Sequence, residues 1–179
     1  MRIAVYNAPM RDLSTPPRDF VALDFETANY RAHSACEIGL VRVENGIVIE
    51  ERSFLVRPPD RWFVPRFSEM HGLSWPDVAE APDWDELWGE IAAMIEPVET
   101  LVAHNAGFDR AVMHATCLYY DIAPPRHEFL CTVRLARARW SIYPTKLNNV
   151  CEALVIPLER HHRALDDARA CAEIARRAL

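Results

Sequence analysis

The order of apolar segments along the chain predicts a mixed α/β fold, with a central sheet and helices on both of its faces. Three observations carry this. Two apolar runs flank Glu44-Asn45-Gly46, and Asn-Gly between such runs is a strong hairpin signal because both residues accept the positive φ of a type I′ turn. Residues 83–96 repeat apolar side chains at the three-four spacing of one helix face. After them, short apolar runs alternate with helical stretches to the C-terminus.

Residues 1–18 read as an arm, because Ser14-Thr15-Pro16-Pro17 breaks regular structure, with residues 3–6 as a candidate short edge strand. The remainder, residues 19–179, reads as a single domain. Residues 20–26 are apolar and then acidic, which fits a buried strand whose end carries carboxylates. Residues 37–44 and 47–56 are the two strands of the hairpin, so the domain opens as a three-stranded antiparallel meander. The proline-rich stretch 57–82 reads as irregular, with a short helical turn near His71. In the helix over 83–96, Trp84, Leu87, Trp88, Ile91, Ala92 and Ile95 share one face, and Pro97 ends it. That face reads as core, with a homodimer contact as the alternative. Residues 100–104 form a short buried strand, followed by a helix through Phe108, Val112, Ala115 and Tyr119. Pro124-Pro125 breaks the chain before a strand at 128–131. Helices at about 132–139, 146–154 and 163–178 complete the domain. No internal repeat or low-complexity tract interrupts this order.

Composition narrows the function. Half of the 179 residues are hydrophobic and 26% are charged, which is ordinary for a globular domain. No window approaches the roughly 18 uncharged apolar residues of a membrane span, and the N-terminus lacks a signal-peptide core. The expectation is a cytoplasmic protein with no membrane partner. The five cysteines are odd in number, widely spaced and without a CxxC pair, so they read as reduced thiols rather than as disulfides or a zinc site. The net charge of −6 argues against a protein that coats long nucleic acid by charge alone. It does not argue against a nuclease that grips a strand end and offsets its own carboxylates with bound cations.

Three acidic segments stand out: Asp24-Phe25-Glu26-Thr27, His104-Asn105-Ala106-Gly107-Phe108-Asp109 and His162-Arg163-Ala164-Leu165-Asp166-Asp167. Asp24 and Glu26 are two apart on a strand, so their side chains share a face, and a shared cation would relieve their repulsion. In the second segment Gly107 permits a tight turn, and Asp109 stands where a helix start tolerates a carboxylate. In the third, His162 precedes Asp167 by five residues, which puts the histidine at the edge of the helix that carries the acid. Carboxylate oxygens without a cysteine-histidine cluster suit magnesium or manganese rather than zinc. Four carboxylates and a histidine could hold two such ions and deprotonate a water, which points to phosphodiester hydrolysis.

Strand, helix start and C-terminal helix, in that order, resemble the DEDD exonuclease superfamily, and most closely its DEDDh branch. That branch includes the proofreading epsilon subunit of DNA polymerase III, RNase T and oligoribonuclease. The tyrosine branch has a Tyr four residues before its last Asp, where this chain has Arg163. His162 matches the H-x4-D of the histidine branch. His161 and Asp166 have the same spacing, but the family follows its last Asp with Ala, which selects Asp167-Ala168. Met70-His71-Gly72 matches a short H-G segment of many relatives.

The resemblance implies a ribonuclease H-like mixed five-stranded sheet, the antiparallel meander plus parallel strands, flanked by helices on both faces. It also implies a 3′-5′ exonuclease with two divalent ions, Mg2+ or Mn2+, that releases nucleoside 5′-monophosphates. Asp24, Glu26 and Asp167 would bind the first ion. Asp24, with Asp109, would hold the second. His162 would be the general base. Thr27 would hold the terminal 3′-hydroxyl, Phe25, Met70 and Phe108 would wall the last base, and His71 would contact it. Arg57, Arg61, Arg66, Lys146 and Arg163 are candidates for phosphate contact. The partners implied are single-stranded DNA or RNA 3′ ends. Two rival readings are a proofreading subunit within a DNA polymerase complex and an inactive nucleic-acid-binding relative. The chain ends as the helix bearing Asp167 closes, which favours a free-standing exonuclease.

Overall fold

Residues 16–179 are described by the computed structural model, so the candidate strand at 3–6 lies outside the described residues. Strands β1 (Phe20–Thr27), β2 (Ala35–Glu44) and β3 (Ile47–Leu55) form the expected antiparallel meander. Its hairpin turns on Asn45 at φ 52° and Gly46 at φ 77°, the left-handed pair that a type I′ turn requires. Helices α1 (Pro65–His71), α2 (Trp75–Val78) and α3 (Trp84–Ile95) lead to β4 (Thr100–Ala103). Helix α4 (Gly107–Tyr119) leads to β5 (Glu128–Cys131), and α5 (Thr132–Trp140), α6 (Leu147–Leu154) and α7 (Ala164–Arg177) follow. The five strands lie in the order β3-β2-β1-β4-β5, with β4 parallel to β1 and β5 parallel to β4.

One stretch differs from expectation. Residues 57–82 hold two short helices rather than a single turn near His71. Pro65 and Pro76 stand in the first turns of α1 and α2, where the missing N–H costs no intrahelical bond, so these prolines start helices instead of breaking them. Gly72, at φ 77°, ends α1, and Ser74 with Asp77 forms a capping box for α2. Asp83 and Glu86 cap α3 in the same reciprocal way, at 3.2 and 2.8 Å.

Alternation along β1 assigns the two faces. Val21, Leu23 and Phe25 point to a core shared with α3 and α4, where Trp84, Ile91, Ile95, Val112 and Met113 are buried. Phe20 and Ala22 point the other way, to a core built with Leu135, Val150, Cys171 and Ile174 of α5, α6 and α7. Each such buried aliphatic side chain contributes about 1.5–3 kcal/mol. Trp84 is fully buried and Trp88 packs against it with ring centroids 5.8 Å apart, so this helix face belongs to the core and not to a dimer contact. No helix among the described residues is long and apolar enough to cross a membrane. All five cysteines are free thiols.

The parity that sends Phe20 and Ala22 towards α7 sends Asp24 and Glu26 there as well. Helix α7 lies on β2 at Gly39, where an added Cβ would stand 2.3 Å from the backbone carbon and oxygen of Ala164 and 2.4 Å from the nitrogen of Leu165. Only a glycine admits that approach. Gly39→Ala is therefore expected to lower the unfolding free energy by about 1–3 kcal/mol or more, read as a fall in the urea midpoint. An unchanged midpoint would contradict the packing described here.

Candidate active site

At the C-terminal end of β1, Asp24 and Glu26 meet Asp167, the fourth residue of α7. One oxygen from each of the three lies within 4.8 Å of the others. A β-bulge between Glu26 and Thr27 shifts the β1–β2 register beside them. Asp109, from the first turn of α4, is fully buried. Its Oδ1 accepts the backbone N–H of Phe25 at 3.2 Å, while its Oδ2 has no hydrogen-bond partner among the described residues. The turn that delivers Asp109 bends at Asn105, φ 63°, and not at Gly107, whose φ is not in the left-handed region.

Such a concentration of acids is unstable without a counter-charge. Burial first, and then the neighbouring Asp109, Glu26 and Asp167, push the Asp24 carboxyl well above the usual carboxylate range. Burial and the charges of Asp167 and Glu37 push Glu26 up to about 9, and burial pushes Asp109 up to about 8 against the opposing Phe25 N–H. The donors are all hard carboxylate oxygens, and one buried oxygen has no partner. That set fits divalent cations of the magnesium or manganese type.

Two histidines adjoin Asp167. The Nδ1–H of His161 donates to both carboxylate oxygens, at 3.0 and 3.1 Å, and the backbone N–H of His162 donates to one of them at 3.1 Å. The His162 ring stacks on His161 with centroids 3.8 Å apart. Burial and the charge of His161 lower the His162 imidazole below its ordinary value, leaving it neutral at neutral pH. Asp166 turns away and pairs with Arg160 and Arg169 at 2.8 and 3.0 Å.

Asp24, Glu26, Asp167, His161 and His162 line a cleft of about 820 Å³, with Thr27, Met70 and Phe108 also on its walls. Met70 and Phe108 are each 46% exposed, which leaves their faces free for a planar ligand. Phe25 reaches the cleft, but it is only 3% exposed and its ring packs on Trp84 with centroids 5.8 Å apart. Strand alternation turns it away from Asp24 and Glu26, and most of its ring belongs to the core.

His71 does not line the cleft. It is buried, its Nε2–H donates to the Thr27 carbonyl at 3.3 Å and its Nδ1 accepts the Leu73 N–H at 3.0 Å. Both ring nitrogens are thus engaged by backbone, and the ring ties the end of α1 to the end of β1. Among the basic candidates, Arg57 pairs with Asp83, Arg61 lies over the Trp75 ring and Arg163 pairs with Glu37. Arg66 does not line the cleft, whereas Lys146 does.

Several cleft residues stand outside the roles drawn from the motifs. Tyr30, 74% exposed, meets Phe67 edge-on at 5.0 Å, and Arg31 is bonded to Asp60. The Nε2–H of His104 donates to the Thr145 carbonyl at 3.0 Å and its Nδ1 accepts the Thr132 hydroxyl at 2.8 Å, which ties the segment before Lys146 to the end of β4. The tandem His161-His162 was the visible signal for His161. Glu37, a buried acid on β2, had none.

Comparison with known proteins places these features. The RNase T exonuclease family model matches residues 21–175. The chain is similar to exodeoxyribonuclease 10 of Escherichia coli, 33% identical over 81% of this chain and 61% of that protein. It is similar to the DNA polymerase III subunit epsilon of Treponema pallidum, 29% identical over 87% and 74%. It spans 27%, 12% and 11% of the length of three other curated relatives it matches. Among solved structures, exonuclease X bound to 5′-overhanging duplex DNA aligns with a TM-score of 0.70 and 26% identity over 88% of this chain and 90% of that one. The nuclease domain of 3′hExo, a DEDDh family member bound to rAMP, shares the fold with a TM-score of 0.77 at 17% identity, over 89% and 90% of the two chains.

The raised acids set a pH dependence. A folded carboxyl whose pKa lies above its unfolded value binds more protons in the native state, so its stability is complete below the unfolded value and is lost as pH rises through the folded one. For Glu26 at about 9 and Asp109 at about 8, that window runs from the ordinary carboxylate range to mildly alkaline pH. The melting temperature of chelator-treated protein is expected to fall across this window, and Mn2+ is expected to restore it. Asp109→Asn should flatten the slope. A melting temperature that rises with pH in the chelated protein would contradict the electrostatics.

Proposed function

The chain belongs to the RNase T exonuclease family, with the DEDDh architecture, and from that membership we propose that it is a metal-dependent 3′-5′ exonuclease acting on single-stranded DNA or RNA ends. The observation that supports this most is the meeting of Asp24, Glu26 and Asp167 within 4.8 Å, beside the buried oxygen of Asp109, on the wall of an open cleft. Asp24, Glu26 and Asp167 would hold one ion, and Asp24 with Asp109 a second. Two Mg2+ or Mn2+ ions bound there would supply Lewis acidity to the phosphoryl oxygens and lower the pKa of the attacking water.

The chain's own residues then divide the remaining work. His162, neutral and partly buried, takes the proton from the water as general base. The Thr27 hydroxyl meets the terminal 3′-hydroxyl, while Met70 and Phe108 present faces for the last base. Of the two Lys or Arg side chains lining the cleft, Arg31 is paired with Asp60 and Lys146 has no acidic partner among the described residues. Lys146 is also the only lysine in the chain. It is assigned to a backbone phosphate of the bound strand. Attack on the terminal linkage releases a nucleoside 5′-monophosphate.

The polymerase III relatives favour a second reading, in which the same chemistry proofreads within a polymerase assembly. Stimulation of mononucleotide release by an added polymerase, over that of the isolated chain, would distinguish it.

A 3′-labelled oligonucleotide incubated with Mn2+ tests the first reading directly. The label is expected as a mononucleotide, and chelator should stop its release. Asp167→Asn should abolish turnover without unfolding the chain; near-normal turnover would remove the metal-ligand role. His162→Ala should cost about 10²–10⁴-fold in kcat, and an unchanged rate would place the base elsewhere. Lys146→Gln should make the fall of log kcat/KM with log salt shallower by about 0.7, the increment for one single-strand phosphate.

A further inference from the structure

Glu37 is a buried acid outside the metal-binding set, and its contacts go to the segment that carries His162 and Asp167. It stands on β2 directly opposite Glu26 of β1, with its side chain 2% exposed. Two facing carboxylates repel, yet Glu37 is held by three donors. Arg163 Nη2 and Nε reach it at 2.8 and 3.3 Å, and the backbone N–H of Ala164, at the start of α7, at 3.2 Å. An acid placed there also meets the positive end of the helix. Two residues further along the same face of β2, Gly39 lets the first turn of α7 rest on the strand.

The segment from His161 to Asp167 is therefore pinned from both sides. Asp167 receives the His162 N–H at 3.1 Å, and its own N–H donates to the Arg163 carbonyl at 3.0 Å. Between the pins, His162 sits at φ 69°, a left-handed conformation that a histidine keeps only when its surroundings impose it. The Arg163 N–H closes that turn on the Arg160 carbonyl at 3.2 Å, and the Glu37 carboxylate grips the two residues that follow it.

We propose that Glu37, through Arg163 and the first N–H of α7, is a positioning residue for catalysis: it holds the His162 loop and the Asp167 carboxylate in register with Asp24 and Glu26. It touches neither substrate nor metal. This inference rests on the exonuclease reading for the roles of His162 and Asp167.

Glu37→Gln, Arg163→Met and the double variant test it in the full chain, with Mn2+ binding titrated by electron paramagnetic resonance in the absence of substrate. Each single change is expected to weaken Mn2+ binding and to lower kcat, each by about 10–100-fold, the usual cost of losing an outer-shell partner. KM for a 3′-ended oligonucleotide should stay within about twofold, because no substrate contact is removed. The double variant should fall within about threefold of the more severe single, since the two side chains act as one unit. Unchanged kcat and Mn2+ affinity in both single variants, with only the melting temperature lowered, would overturn the proposal. Losses that multiply in the double variant would do the same. Arg163 is 41% exposed, so its replacement keeps the test available if Glu37→Gln does not fold. The Mn2+ titration needs no substrate, so it still tests the positioning role of Glu37 if the wild-type chain releases no mononucleotide, a result that would count against the exonuclease reading alone.

Discussion

Helix α7 reaches the sheet because β2 has no side chain at Gly39, and the site hangs on that contact. With the first turn of α7 against β2, Glu37 takes Arg163 and the Ala164 N–H, and Asp167 arrives one turn later opposite Asp24 and Glu26. The strand contributes by alternation alone. Its even-numbered residues from Phe20 to Ala22 build the α7-side core, and the next two on that face are the acids. The packing that buries the core thus also delivers the chemistry, and neither could shift by one residue without the other.

What the packing brings together, electrostatics resists. Three acids are pushed above their usual range by burial and by one another, and one oxygen of Asp109 is left without a partner. An unpaired buried polar group weakens a fold, and sites of this kind persist where function requires them. Divalent cations would convert the same arrangement from repulsive to attractive. Glu37 illustrates the contrast: equally buried, it is balanced within the protein by Arg163, so it places no demand on a cation.

Much of this was legible in the sequence because the signals were local. Asn45-Gly46 specifies its own turn, and the two-residue spacing of Asp24 and Glu26 specifies a shared face. The three-four repeat from Trp84 to Ile95 specifies α3. The three acidic segments pointed to one cleft, and the structure gathers Asp24, Glu26 and Asp167 around Asp109 there. What escaped depends on distant neighbours. Phe25 and His71 read as ligand contacts, and the sequence gives no sign of the Trp84 ring and the Thr27 carbonyl that engage them. Pro65 and Pro76 read as breakers because helix position, which decides their effect, is not a property of composition. Glu37 looks like any acid on an alternating strand, and Gly39 like a residue that weakens one. Their meaning appears only when α7, more than 120 residues later, is laid across them.

Proton release on cation binding bears most directly on a site completed by metal. Glu26 at about 9 and Asp109 at about 8 hold their protons at neutral pH, and a carboxyl must lose its proton to ligate. Titration calorimetry with Mn2+ at neutral pH, repeated in buffers of different ionisation enthalpy, counts those protons. Release of about two or more per molecule, abolished by Asp24→Asn together with Mn2+ binding itself, is the predicted result. Mn2+ binding without proton release, or binding that survives the loss of Asp24, would contradict it.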